Sequence, residues 1–414
     1  MVQHKQGKYD AIYRDDDPII SRAKSVAMRL SERARAVDKA RELPVETVHD
    51  LHEAGLLTLN IPRVQGGLEA ALAIQTAIFE IIGGACASTA WCLGNHITTC
   101  LIVQNLLGED SGPYIKAVVE EGAILAHAQI PAGTIRAIPG GFVVSGRWPF
   151  VSFSHRARWA FLSTTVQGQP PDWTPTMAVP DPPELHNRWV SVGIGDPGVS
   201  VEDTWHAMAV RASMSNDLLL DEVFIPLDKA PVFNRPPPEV PWFMDAPLAL
   251  RIPSRSTSWI AAIMLGVAQS ALSDTIEYAR GGSMSLGGQP RGSMPGNQFA
   301  IADATMAIES GRAFLHQEVR NIMAKAQTMT PFNADEVIRV QMATLVAREN
   351  AQRAVERLFS IRGAHGLYEA HDFERYYRDV RIGTLHASTA PDLVRELIGK
   401  HLFGIPADVQ PRWM

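Results

Sequence analysis

Cysteine is scarce: only 3 occur in 414 residues, Cys86, Cys92 and Cys100. They fall in one apolar stretch and have neither the spacing of a zinc site nor that of a disulfide framework, so they read as buried free thiols of a reducing, cytoplasmic compartment. An excess of one charge is lacking too. The formal net charge is −6, with 38 basic and 44 acidic residues, and the basic ones are scattered, which leaves no footprint for a nucleic acid or an anionic membrane. No run of about 18 uninterrupted apolar residues is present to span a bilayer. The polar stretch from Met1 to Gln6 lacks the apolar core of a signal peptide, and no Rossmann fingerprint marks a nicotinamide site. With 46% hydrophobic and 20% charged residues, the composition is that of a globular protein. The length suits roughly two or three compact units.

The chain opens in helical texture. After Asp17-Pro18, residues Ile19, Ala23, Val26, Leu30, Ala34 and Val37 recur every three or four positions, as one face of an amphipathic helix demands. Pro44 starts a second helix and Gly55 stops it. From Ala70 to Leu107 the chain is apolar nearly all round, which predicts the interior of a helical bundle, with Gly83-Gly84 and Gly94 as interruptions. Trp91, Asn95 and His96 are its amphipathic exceptions.

Near Glu121 the texture changes. Phe142-Val143-Val144, Trp159-Ala160-Phe161-Leu162, Met177-Ala178-Val179, Trp189-Val190-Ser191-Val192 and Leu218-Leu219-Leu220 are short apolar runs between turn formers and read as antiparallel strands. Pro139-Gly140-Gly141 suits a hairpin turn. Arg235-Pro236-Pro237-Pro238 reads as a linker, the stripe Trp259, Ile260, Ile263, Met264, Val267, Ala271 and Ile276 as a helix, and Gly281 to Asn297 as a loop. The expected class is α+β: an N-terminal α-helical domain over residues 1–120, a middle antiparallel β domain over 121–230, and a C-terminal helical bundle over 231–414.

Four segments carry a resemblance to the acyl-CoA dehydrogenase superfamily. Glu374-Arg375-Tyr376-Tyr377-Arg378-Asp379, running on to His386-Ala387-Ser388-Thr389, resembles the family's E-R-x-x-R-D…Y-E-G-T, with Arg362-Gly363-Ala364-His365-Gly366 keeping part of a G-G-x-G ahead of it. Gly146-Arg147-Trp148-Pro149-Phe150-Val151-Ser152 is similar to G-x-K-x-W-I-T, in a form that recurs in the hydroxylase branch. The run Trp205 to Asp217 resembles W-x-x-x-G-x-R-x-T-x-S-x-D, and Pro62 to Gly67 resembles P-x-x-x-G-G. The α, β, α order matches as well, so the resemblance covers nearly the whole chain. It implies the acyl-CoA dehydrogenase fold with a C-terminal four-helix bundle and a homotetramer. By the same resemblance Trp148 and Phe150 lie against a flavin, Ser152 hydrogen-bonds its N5 edge, and Arg211 and Ser215 contribute to the site. Gly363 and Gly366 would bring backbone towards a phosphate from a neighbouring subunit.

The departures from the family carry as much information as the matches. The dehydrogenases take the substrate α-proton with the glutamate of Y-E-G-T, where this chain has Ala387, or with a glutamate before an arginine at a second place, where it has Ser254-Arg255-Ser256-Thr257. Both positions lack a carboxylate. The chain therefore looks like the oxygenase component of a two-component flavin monooxygenase, similar to hydroxyphenylacetate and hydroxy-seco-steroid hydroxylases. The resemblance implies reduced FMN or FAD from a separate NAD(P)H:flavin reductase, O2 as co-substrate, and a C4a-hydroperoxyflavin that oxygenates a small aromatic or heteroaromatic molecule. Gly282 and Leu286-Gly287 only partly match the segment that reaches the FAD pyrophosphate, which FMN would tolerate. His386 would act on the hydroperoxide or the substrate, and His96 would orient a substrate hydroxyl beside Trp91 and Asn95.

Read without the family, a lone histidine among aliphatics is more often a hydrogen-bonded core residue, and His96 and Asn95 can satisfy each other or a carbonyl. Two other functions stay open. One is an acyl-CoA dehydrogenase using Glu349 or Glu369 as base; the other is a non-catalytic flavin-binding protein.

Overall fold

Asp17 caps the first helix by accepting a hydrogen bond from the Ile19 amide at 2.7 Å, with Pro18 in the first turn where its missing N–H costs nothing. That helix, α1 (Pro18–Ala40), buries Ile20, Ala23, Val26, Leu30, Ala34 and Val37. The structure is a computed structural model and describes residues 17–166, 188–231, 258–281, 287–328, 330, 332–386 and 390–405. Met177-Ala178-Val179, Arg235–Pro238, Ser254–Thr257, Gly282, Leu286 and Ala387–Thr389 lie outside the described residues.

Four further helices follow: α2 (Val45–Glu53), α3 (Leu72–Ala85), α4 (Ala87–Leu107) and α5 (Gly112–Glu121). The expected interruptions are not where the glycines are. Gly83 and Gly84 lie inside α3 and Gly94 inside α4, while the chain breaks at Cys86, which is extended with φ −153° and ψ 104°. These glycines serve close packing instead. A Cβ on Gly83 would come within 2.7 Å of the Ile263 Cα, and one on Gly94 within 2.3 Å of the Trp259 ring.

Among the described residues the middle of the chain forms one six-stranded sheet in the order β4-β3-β1-β2-β6-β5. The strands are β1 (Ile124–Ile138), β2 (Gly141–Val151), β3 (Ala157–Val166), β4 (Trp189–Gly193), β5 (Val199–Glu202) and β6 (Asn216–Pro226). Pro139-Gly140 forms the β1–β2 hairpin, pairing Ile138 with Gly141 and placing Gly140 at φ 84°. Expected antiparallel throughout, the sheet has one parallel pair, β1 with β3. After β2 the chain reverses at Ser154–Arg156 and runs again in the direction of β1; since β6 holds the other edge of β2, β3 takes the free edge of β1.

The C-terminal region packs three long helices, α6 (Ser258–Arg280), α7 (Pro295–Gln327) and α8 (Ala334–Arg362), with α11 (Pro391–Leu402) against α8 and the short α9 (Asp372–Asp379) and α10 (Ile382–Leu385) between. The loop expected from Gly281 to Asn297 gives way at Arg291–Ser293 to a 3-10 turn, and α7 begins at Pro295. A capping box at Asn333 and Glu336 starts α8. By length and composition α6 is the one described helix that passes for a membrane span, yet its Ile260, Ile263, Met264, Leu265 and Val267 are buried inside the protein.

Candidate active site

The end of β2 departs from a regular strand where the chemistry gathers. Trp148 and Phe150, two residues apart, would share a face of a pleated strand. Instead Trp148 is wholly buried, its indole N–H donating to the Ser163 carbonyl at 2.7 Å, while Phe150 is 64% exposed. The cause is a left-handed backbone at Phe150 (φ 62°) within the irregularity between Trp148 and Val151. Trp148 is therefore a core residue rather than the flavin contact expected of it. Phe150 stands out from the sheet, edge-on to Trp205 at 6.2 Å.

Just past it, Ser152 is buried and joins a chain of hydroxyls, 2.8 Å from Ser215 Oγ, which is 2.7 Å from Ser213 Oγ. The segment is locked there because the Phe153 amide donates to the Ser213 carbonyl at 2.9 Å and the Ser154 hydroxyl to the Met214 carbonyl at 2.7 Å. Three hydroxyls bring three protons and the two links between them use two. One proton is left to donate elsewhere, and Ser152 is a terminal member of the chain.

Trp91 on α4 ties this chain to the helices. Its indole N–H donates to Ser152 Oγ at 3.3 Å, and its ring meets the His386 imidazole edge-on at 5.6 Å and Trp259 at 5.4 Å. His386 follows α10, which is seated by Arg348: this buried guanidinium donates to the Thr344 carbonyl at 3.0 Å and to the Gly383 carbonyl at 2.7 Å. Gly383 presses on Met264, where a Cβ would come within 2.5 Å. Burial, with the Arg348 charge adding to it, pulls the His386 pKa down to about 4.

His96 belongs to a different construction. Its Nε2 is 3.1 Å from the Leu57 carbonyl and its Nδ1 accepts the Leu125 amide at 3.0 Å, so both nitrogens are committed to backbone and the ring is fully buried. The substrate-orienting role expected of His96 has no free nitrogen to work with. Asn95 donates to the Trp91 carbonyl at 2.9 Å. The histidine with an open side is His127 on β1, which sequence reasoning missed. It is half-buried, with Nδ1 2.7 Å from Thr99 Oγ1, and burial together with nearby His386 lowers its pKa to about 4. The alternation Leu125-His127-Gln129 is the signal that sets this histidine on one face of its strand.

Among the described residues the other expected contacts form no hydrogen bond with this cluster. Arg211 is turned towards Asp38 at 3.5 Å. Gly363, at φ 55° with open space before its Cα, and Gly366, packed against Phe359 and Phe373, sit in the turn that ends α8.

A planar, redox-active ring such as flavin fits this arrangement. Phe150 offers an exposed aromatic face, and Ser152, two residues on, offers a donor proton to a ring nitrogen.

Comparison with known proteins agrees. Residues 21–110 match the model of the acyl-CoA dehydrogenase N-terminal domain and residues 258–391 that of the acyl-CoA dehydrogenase C-terminal domain, together more than half of the chain. The chain is 24% identical to the flavin-dependent monooxygenase oxygenase subunit HsaA of Mycobacterium tuberculosis, covering 95% of this chain and 97% of that protein. It is also 24% identical to the FADH2-dependent resorcinol hydroxylase oxygenase component of a Rhizobium species, covering 94% of each. Among solved structures, XiaF from a Streptomyces species, in complex with FADH2 and glycerol, superposes with a TM-score of 0.84 at 20% identity over 95% of this chain and 96% of that one. Two family models, full-length relatives and a shared fold lead to one statement: the chain belongs to the acyl-CoA dehydrogenase family.

Proposed function

We propose that this chain is the oxygenase component of a two-component flavin-dependent monooxygenase. It takes reduced FMN or FAD from a separate NAD(P)H:flavin reductase, together with O2, and oxygenates a small aromatic or heteroaromatic molecule, in the first instance by hydroxylation. Relatives with that activity match along their whole length. The observation that carries the reading is the make-up of the candidate site. Among the described residues no carboxylate is hydrogen-bonded to Ser152, Trp91 or His127, and the imidazoles of His127 and His386 are held neutral. Of the carboxylates a dehydrogenase would recruit, Glu349 is ion-paired with Arg395 at 2.5 Å and Glu369 is exposed.

Bound reduced flavin supplies two electrons, with which one atom of O2 is added to the substrate and the other leaves as water. The protein's own part is positioning and protection. Phe150 would stand against the ring, and Ser152, relayed by Ser215 and Ser213, would donate to its nitrogen edge and hold the proton there. Trp91 and His386 wall the cleft and keep water out, which limits wasteful release of hydrogen peroxide. His386, neutral at physiological pH, offers a hydrogen bond at the reacting oxygen. In the homotetramer that goes with this reading, Gly363 and Gly366 approach a neighbour's flavin phosphate. Exposed Phe299 and Met306 on α7, Leu402 at the end of α11 and Phe403 just after it supply apolar surface for assembly. The buried free thiols suit the cytoplasm.

The test is rapid mixing of the protein and anaerobically reduced FMN, then reduced FAD, with oxygenated buffer. A transient absorbance that outlasts the oxidation of free flavin is expected, and the longer-lived case identifies the preferred cofactor. Immediate appearance of oxidised flavin with both, and bleaching of bound oxidised flavin by an acyl-CoA, would return the dehydrogenase reading.

A further inference from the structure

Two residues other than glycine stand in left-handed backbone on either side of the 3-10 turn Arg211–Ser213: Val210 at φ 42° and ψ 48°, and Met214 at φ 49° and ψ 42°. Glycine takes that conformation freely, but a β-branched valine does so only where its surroundings compel it. The Met214 end is compelled by the chain just past β2, because its carbonyl accepts both the Ser154 amide at 3.3 Å and the Ser154 hydroxyl at 2.7 Å. The middle is held from α4, where Ser88 Oγ accepts the Ala212 amide at 3.3 Å and the Cys92 thiol donates to the Ser213 carbonyl at 3.2 Å. At the other end the Val210 carbonyl accepts the Trp205 indole at 3.1 Å and the Ser213 amide at 2.9 Å, while the Val210 amide donates to Asp379 Oδ1 at 2.7 Å. Asp379 is the one carboxylate among these partners, and it comes from α9, 169 residues further on.

The turn presents Ser213 and, just beyond Met214, Ser215. Ser213 is wholly buried, and among the described residues its hydroxyl meets only that of Ser215. Donations running inward from Ser152 would therefore end in a buried proton with no acceptor, which is costly. Run outward, Ser213 donates to Ser215 and Ser215 to Ser152, and no proton is stranded in the core. Ser152 Oγ then accepts from Ser215 and from the Trp91 indole, so its own proton is turned outward. That direction depends on where the turn sets its two hydroxyls. A backbone relaxed out of the left-handed region at Val210 would carry both of them away.

We propose that Asp379 is a positioning residue for the flavin site: it fixes Val210 in left-handed backbone and so seats Ser213 and Ser215 where they turn the Ser152 proton towards the flavin nitrogen. This role rests on the flavin contact of Ser152 given above. It is separate from the part Asp379 plays among the charges of Arg375 and Arg378, and two variants tell the parts apart. Asp379→Asn keeps an acceptor oxygen in place and gives up the charge. Asp379→Glu keeps the charge and displaces the acceptor by one methylene, about 1.5 Å.

Each variant is to be read out twice, by hydrogen exchange of the flavin-free protein over residues 208–216 and by the equilibrium dissociation constants for oxidised FMN and FAD. For Asp379→Glu exchange in that segment should quicken about ten-fold, and the flavin that binds the wild type should bind about five-fold more weakly. For Asp379→Asn both readouts should stay within about two-fold of the wild type, although its unfolding midpoint falls with the lost charge. A joint of ions alone demands the reverse order of the two variants, and that result would overturn the proposal, as would wild-type values in both. Should Asp379→Glu fail to fold, Asp379→Ala replaces it with the same expectation, and a five-fold loss of flavin affinity in Asp379→Asn counts against the proposal by itself. Ser152→Ala separates the two levels of the reading. Undiminished flavin affinity in that variant would withdraw the contact of Ser152 and the proposal with it, whereas weakened binding there but not in Asp379→Glu would remove the positioning role alone.

Discussion

Two of the buried polar regions among the described residues are made of different material. One is a strut of charge. Arg378 on α9 reaches Asp38 on α1 at 2.7 Å, Glu374 at 2.6 Å and the Met208 carbonyl at 2.8 Å, while the adjacent Asp379 accepts the Val210 amide at 2.7 Å. It fastens α1, α9 and the approach to β6 to one another. The other is the candidate site, where Ser152, Ser213, Ser215, Thr99, His127 and His386 are hydroxyls and imidazoles, the imidazoles kept neutral. Ions suit a joint that closes once and stays closed, since their desolvation is met only on folding. Neutral groups suit a place that a ligand must enter and leave, because no ion has to be stripped of water at each turnover.

The contrast breaks most visibly at the strut. Arg378→Leu leaves Asp38 and Glu374 without their principal cation, and should lower unfolding free energy by about 3–5 kcal/mol. Denaturant titration would show it, and an unchanged midpoint would mean the strut holds nothing. Acid tests the neutral side. A histidine titrates near 6.5 when unfolded, whereas His96 is held down to about 4 by burial. As pH falls from about 6.5 towards 4 the unfolded chain binds a proton that the folded chain refuses, so stability declines by up to about 3 kcal/mol through His96. Unfolding midpoints across that range should fall on acidification, with a shallower slope in His96→Gln; identical slopes would contradict a buried neutral ring.

Within the cleft the effects are smaller in energy and appear in coupling rather than in stability. His386→Ala is expected to reduce product formed per flavin oxidised by about ten-fold, equivalent to about 1.4 kcal/mol. A normal yield would make His386 a packing residue. For Ser152→Ala, hydrogen peroxide release should rise about five-fold through loss of one hydrogen bond; peroxide traces superimposable on the wild type would remove Ser152 from the mechanism.

Much of this is legible in the residues, and the exceptions have physical reasons. The helix at Pro18–Ala40 follows from periodicity and capping, and the hairpin at Pro139-Gly140 from turn chemistry, both of them local. Ser152 is singled out by resemblance to a motif, and its bonds to Ser215 and Trp91 bring together segments far apart in sequence. The histidines mislead because a sequence shows an imidazole but not the backbone groups around it. His96 looks like the reactive one and is the one bound on both sides, while His127 looks like part of a strand. Trp148 and Phe150, expected on one face, are parted by one left-handed residue, which strand alternation does not foresee. Arg348 offers no signal, since a lone arginine on a long helix is ordinarily a surface residue.

Gly266 on α6 has a consequence beyond packing. A Cβ there would come within 2.0 Å of the Glu80 carbonyl on α3, so the two helices are in contact with no side chain between them. About two turns earlier, roughly 10 Å along the same helix, Trp259 lies against Gly94 and presents its edge to Trp91. The glycine thus acts as a gauge for the cleft. A single methyl at residue 266 would be read out at the far end of the helix as a displaced tryptophan, and the contact of Trp91 with His386 is set by atoms that are not there.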